Sequence, residues 1–152
     1  MGFVRPPVDD AALNSEIVIS EPFVAALPPT HRFGARPRLQ LSALASDPFV
    51  LPPRDAAPRF HEAVLRACRE AGFVPHSPYE VDHLQMVLRL VAAGAGVALV
   101  PASARKVNQG RVVYRALRPS PDPLQTAMAW RREDTSATVA EFLSVARRSL
   151  HH

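Results

Sequence analysis

Apolar residues in this chain come in short runs fenced by proline and glycine, and the period of those runs changes along the chain. Residues 2–5, GFVR, read as a short strand stopped by Pro6-Pro7, since proline gives a ladder no amide donor. Residues 16–27, EIVISEPFVAAL, make a long β-like run, and Pro22 within it predicts a bend or an edge position. Residues 39–45 predict a short helical turn, and residues 48–51, PFVL, a buried strand closed by Pro52-Pro53. From Pro58 the period becomes helical: Phe60, Val64, Leu65 and Cys68 share one face, Pro58 suits the first helical position and Gly72 the stop. Residues 79–81 read as a short strand. Asp82 is then expected to cap a second helix with Gln85 as its capping-box partner, an apolar face of Leu84, Val87, Leu88, Val91 and Ala92, and Gly94 as its end. Residues 96–100, GVALV, predict a buried strand. Pro101 opens a further helical turn that fades near Asn108-Gln109-Gly110. Residues 111–117 and 125–131 predict two more strands, and Thr135 or Ser136 caps a final helix striped by Val139, Phe142, Leu143 and Ala146.

Short strands separated by amphipathic helices indicate an α/β class with mixed or parallel pairing. The two long β segments, 16–27 and 111–131, bracket the middle of the chain, which suggests a chain that enters a second lobe and later returns.

Composition changes the picture in a few places. At 152 residues, 47% apolar and 21% charged, the chain suits one compact folded domain. No run of about 18 apolar residues is present, and the first residues lack a secretory signal's apolar core. Neither a membrane span nor export is expected, and a single cysteine fits a reducing cytoplasm. The net charge of +4 and pI near 10.2 suggest nucleic acid. All but one of the 18 basic residues are arginine (the exception is Lys106), and they are dispersed without aromatic interleaving, so direct nucleic-acid binding is discounted. No nucleophile elbow, phosphate loop, zinc-protease helix or cysteine pair occurs, and His31, His61, His76 and His83 have no ligand spacing on one helix face. Cys68 sits on an apolar helical stripe and reads as core; the terminal His151 and His152 are not read as ligands. No enzyme activity, metal or cofactor is therefore expected.

Residues 80–103, EVDHLQMVLRLVAAGAGVALVPAS, are more specific. Val91-Ala92-Ala93-Gly94, with Gly96 and Leu99-Val100-Pro101, resembles the signature of LysR-type transcription regulators. Further pieces fall in that family's order: Phe23 to Pro28 with Thr30-His31, Leu41-Ala43-Leu44 before Pro48-Phe49-Val50, Ala71-Gly72-Phe73 with Pro75, and the closing helix. The likeness covers nearly the whole chain. GFVRPP, Glu21 and the run from Glu80 to Ser103 resemble the branch governing aromatic-compound catabolism. The resemblance implies an α/β, type 2 periplasmic-binding-protein-like sensor: one complete Rossmann-like lobe II at 22–122, and part of lobe I at 1–21 and 123–152. The family's helix-turn-helix and linker helix have no counterpart in these residues, so DNA is expected to be read only through a domain outside them.

The same resemblance implies an effector in the cleft between lobes, a small carboxylate or aromatic-type inducer. Helix starts present amide donors and a positive dipole end, which favours anions. At the first such start, Pro58 shapes the turn, Arg59 is placed to pair with a carboxylate, and Phe60 offers an aromatic wall; the plainer alternative is a core Phe60 and a solvated Arg59. At the second, Leu84 is the apolar wall and His83 either a contact or a surface residue. Thr126 lines the cleft from lobe I or is an ordinary strand threonine. Arg5 and Glu21 are expected as a pair near the hinge, or as a surface ion pair worth little. A free-standing solute receptor or an enzyme on the same fold is the alternative function. The absent first-lobe elements predict an exposed apolar face along residues 58–71, and with it a homodimer or higher oligomer.

Overall fold

The computed structural model describes residues 1–107 and 111–150. Asn108-Gln109-Gly110, where the helical turn was expected to fade, and His151-His152 lie outside the described residues. The strands are β1 (Gly2–Val4), β2 (Leu13–Glu21), β3 (Phe23–Leu27), β4 (Arg38–Leu39), β5 (Pro48–Leu51), β6 (His76–Glu80), β7 (Ala98–Pro101), β8 (Val113–Leu117) and β9 (Leu124–Arg131). The helices are α1 (Pro58–Glu70), α2 (Leu84–Ala92) and α3 (Ala137–Leu150), with 3-10 turns at Leu41–Leu44 and Ala102–Lys106. The chain divides into a middle unit, Glu21–Leu124, and a terminal unit built from Met1–Ser20 and Gln125–His152. The expected 16–27 run is thus two strands in two units, with Pro22 at the break.

In the middle unit the sheet order is β4-β8-β3-β7, and the parallel pair β5-β6 joins it through a Phe49–Val97 bridge to β7. Only β3 runs against its neighbours. Both faces of this sheet are covered, which is why its strands read as unbroken apolar runs. Phe23, Ala25 and Leu27 of β3 join Phe49, Leu51 and Leu99 in a core that takes Val64, Ala67 and Cys68 from α1. Val24 and Ala26 face the other way, with Val50, Ala98 and Val100, and take Val87, Leu88 and Val91 from α2.

Two expectations need correction here. The apolar stripe of α1 is not exposed: Val64 and Cys68 are buried at 1% and 0%, because the unit's own sheet covers them. The oligomer argument drawn from that face therefore falls. Asp82 does not cap α2; the N-cap is His83, in extended conformation and with no side-chain cap bond. By contrast Ser136 does cap α3, its Oγ accepting from the Val139 amide at 3.4 Å.

The terminal unit is a three-stranded sheet ordered β1-β9-β2 with α3 against it. Met128 of β9 meets Val139, Leu143 and Ala146 of α3, with Val18 and Trp130 at the margin. Phe142, expected on the core stripe, is instead 40% exposed and makes a tilted ring contact with Phe3.

Candidate functional site

Strand direction decides where connections emerge. The carboxyl ends of β5, β6, β7 and β8 share one edge of the middle unit's sheet with the first residue of β3, Phe23. Among the connections that leave that edge are residues 52–57 into α1, residues 81–83 into α2, and Pro101 into the Ala102–Lys106 turn. Open α/β sheets bind ligands outside the carboxyl ends of their strands. Since α1 and α2 each return antiparallel to the strand before them, both present their positive ends to this edge, from opposite faces of the sheet.

The loop into α1 is fixed from below. His61 is 5% exposed, and its Nδ1 donates to the Pro52 carbonyl oxygen at 2.6 Å. The Ala57 amide donates to Pro53 O at 3.0 Å. Alanine at the N-cap offers no side-chain acceptor, and Pro58 follows at the first helical position. A first turn without such an acceptor favours an outside anion.

Arg59 is exposed at this start. Phe60 is half-buried, packed on the α1 core, with its ring parallel to that of Phe23, 6.1 Å between centroids and 6° apart. At α2, the Val81 amide donates to Leu51 O at 3.0 Å, which binds the two loops' bases together. Leu84 is half-buried against the α2 core, whereas the His83 side chain is 80% exposed, 3.5 Å from Asp82.

Sequence reasoning missed one group at this edge. The Glu21 carboxylate accepts from the Ser103 amide at 2.9 Å and from its hydroxyl at 3.1 Å, and the Ala102 amide donates to Pro22 O. The two residues are 82 positions apart, so no local pattern signals the contact. Glu21 therefore closes the turn after β7, while Arg5, expected beside it, has other partners. Within the terminal unit, Arg5 Nη1 donates to Thr126 Oγ1 at 2.7 Å and to Gln125 O at 3.2 Å.

Elsewhere the chemistry is quiet. Burial pushes the Cys68 thiol up to about 12, which leaves it protonated and inert at neutral pH. Among the described residues, no group of three or more histidine, cysteine, aspartate or glutamate side chains is placed to hold a metal. No helix among them is long and apolar enough to cross a membrane.

A covered α/β sheet with one reversed strand, entered and left through a second small sheet, is the architecture of type 2 periplasmic-binding-protein-like sensor domains. The sequence matches the family described as LysR substrate binding domain over residues 1–151, and the chain belongs to that family. It is 38% identical over 145 residues to the HTH-type transcriptional regulator IlvR of Caulobacter vibrioides, covering 93% of this chain and 48% of that protein. It is 31% identical over 145 residues to the HTH-type transcriptional regulator CatR of Pseudomonas putida, covering 95% of this chain and 50% of that protein. The chain thus spans about half the length of these curated relatives. Among solved structures, the BenM effector binding domain with its effector benzoate superposes with a TM-score of 0.81 at 26% identity, covering 97% of this chain and 68% of that one.

Proposed function

We propose that this chain senses a small carboxylate, of aromatic type, as the effector-binding part of a LysR-type transcription regulator. The observation that carries the proposal is the shared edge of β5 and β6, which two helix starts reach from opposite faces of the sheet with neither closed by a side-chain cap. The partial positive charge of both starts favours an anion there. Arg59 adds a guanidinium whose paired donors match a carboxylate, with Pro58 setting the backbone beneath it. The half-buried Phe60 ring, backed by the buried Phe23 ring, supplies an apolar wall for an aromatic body, with Leu84 and His83 at the second start. Thr126 stays a candidate on its own unit, its hydroxyl oriented by Arg5. A relative solved with benzoate as its effector, 26% identical, supports the aromatic class.

The protein at work is proposed to be a longer, cytoplasmic homodimer or higher oligomer that reads DNA through a region beyond these residues. Effector binding would act by preferring one of two arrangements of that assembly, and only differential affinity can drive such a shift.

The test is thermal unfolding of the chain with benzoate, against acetate and pyruvate, repeated on Arg59→Ala. A ligand held only by the folded state at about 100 times its Kd adds about 2.7 kcal/mol. Benzoate is expected to raise Tm more than the aliphatic acids do, and the gain to shrink in the variant. If no carboxylate raises Tm, or Arg59→Ala responds as the parent does, the reading is wrong.

A further inference from the structure

Five arginines of the middle unit show two different settings. Arg32 is paired with Asp47 and Arg69 with Glu62. Arg36, Arg38 and Arg118 are different: all three line one depression of about 300 Å³, whose other walls are Leu39, Gln40 and Ala43. No carboxylate lines it, and none of the three is in an ion pair among the described residues. Three like charges brought together without a counter-charge repel one another, and an arrangement that persists invites an anion from solution.

The three side chains are set by the fold rather than gathered by chance. Pro37 fixes the backbone between Arg36 and Arg38. The Arg36 guanidinium lies over the Phe33 ring, 4.6 Å from its centroid, which limits its rotamers. Arg38 pairs in register with Ala116 of β8, and Arg118, two residues beyond Ala116, donates its amide to Leu39 O at 2.9 Å, so the backbones that carry these two arginines are fixed to each other. Gln40 adds an amide donor at the rim. We propose that this depression at the β4 edge binds a multiply charged oxyanion of the phosphate type. A monocarboxylate neutralises one of three charges. A phosphoryl group offers two negative charges and three equivalent oxygens, which paired guanidinium donors match. The depression sits at the outermost strand, four strand spacings from β5, or roughly 19 Å at about 4.8 Å per strand. It is therefore a different place from the β5–β6 edge, and its failure or success leaves the carboxylate reading to the Arg59 test.

The chain is titrated with inorganic phosphate and with pyrophosphate at constant ionic strength, using sodium chloride as the balance, and followed by thermal shift and by amide resonances of residues 33–43 and 116–119. Pyrophosphate is expected to raise Tm and to move those resonances. Arg36→Gln/Arg38→Gln is expected to weaken binding about tenfold or more, as loss of charge-assisted hydrogen bonds does. Arg118→Gln alone should weaken it less, and Arg66→Gln, on the exposed side of α1, not at all. A short DNA duplex provides the second arm. Duplex binding that the double variant loses and pyrophosphate competes away assigns the phosphate to a nucleic-acid backbone; pyrophosphate binding alone assigns it to a small phosphorylated compound. No binding by phosphate, pyrophosphate or duplex beyond that of chloride overturns the proposal, as does binding that the double variant keeps in full.

Discussion

The imidazole of His61, one turn into α1, holds the carbonyl of Pro52 at the end of β5 across 2.6 Å, and both residues are buried. A carbonyl accepts only, so Nδ1 carries the proton, and the bond ties the first turn of the helix to the loop that precedes it. Replacing His61 by alanine strands that carbonyl without a donor, which costs about 1–3 kcal/mol before any void is counted. Asparagine places an amide N–H near the same point, and His61→Asn is expected to lose less. Urea unfolding of the two variants measures the difference. Equal losses would mean that ring volume, not the hydrogen bond, matters at this site.

Glycines 94 and 96 follow α2 two residues apart, yet different physics constrains them. Gly94 has φ +85°, where an L side chain is strained, but a Cβ there meets nothing within 4 Å. At Gly96 a Cβ would sit 2.5 Å from the Pro48 carbonyl oxygen and 3.0 Å from its carbon. Those atoms belong to the seam where the Val97 amide donates to Pro48 O and the Val50 amide to Val97 O. Backbone has no rotamer to yield. Gly94→Ala is expected to cost about 1–2 kcal/mol, and Gly96→Ala more than that, with loss of the β5–β7 contact. Thermal midpoints of the two variants give the order, and Gly94→Ala proving the more damaging would mean that the seam moves apart easily.

Cys68 faces the α1 core with 0% exposure. With its thiol pushed up to about 12, roughly one molecule in ten thousand carries the thiolate at pH 8. A disulfide reagent is therefore expected to leave the native chain unlabelled and to react stoichiometrically in urea. The slow native rate then reports opening of the unit rather than intrinsic reactivity. Rapid, complete labelling without denaturant would contradict the buried position of α1.

What local pattern could reveal was mostly revealed. The stripe of Val64 and Cys68, the stop at Gly72 and the cap at Ser136 are readable because each depends on residues within a turn or two. The two-residue strand β4 is unmarked in the sequence, where Leu39 reads as the start of the 39–45 helical turn, because its pairing with Leu117 lies far along the chain. The same holds for the Glu21–Ser103 bonds and for Arg5 on Thr126, whose partners are 82 and 121 residues away. Asp82 misled because a good capping residue one position too early looks the same in sequence; the backbone turns helical only after His83. The exposed face expected on α1 rested on elements outside this chain, while the helix packs on the sheet of its own unit.

The terminal unit owes one tie to charge. Glu16 on β2 accepts from the Arg147 guanidinium of α3 through both carboxylate oxygens, joining the two ends of the chain across 131 residues. Those hydrogen bonds, with the charge of Arg147, hold the Glu16 carboxyl below its ordinary value of 4.5. A carboxyl whose folded pKa is depressed contributes stability at pH above its unfolded value, and that contribution disappears as pH falls through the folded one. The parent is therefore expected to exceed Glu16→Gln in urea midpoint at about pH 7, and the gap to shrink at an acid pH below 4.5. The side chains are 36% and 52% exposed, so water and salt screen the pair and the gap at neutral pH is expected to be small and to narrow in molar sodium chloride. Measuring both proteins at the two pH values and two salt concentrations isolates the pair from the general acid sensitivity of the other carboxylates. A gap that stays constant across pH would assign the loss in Glu16→Gln to packing of the β2 side chain, not to its charge.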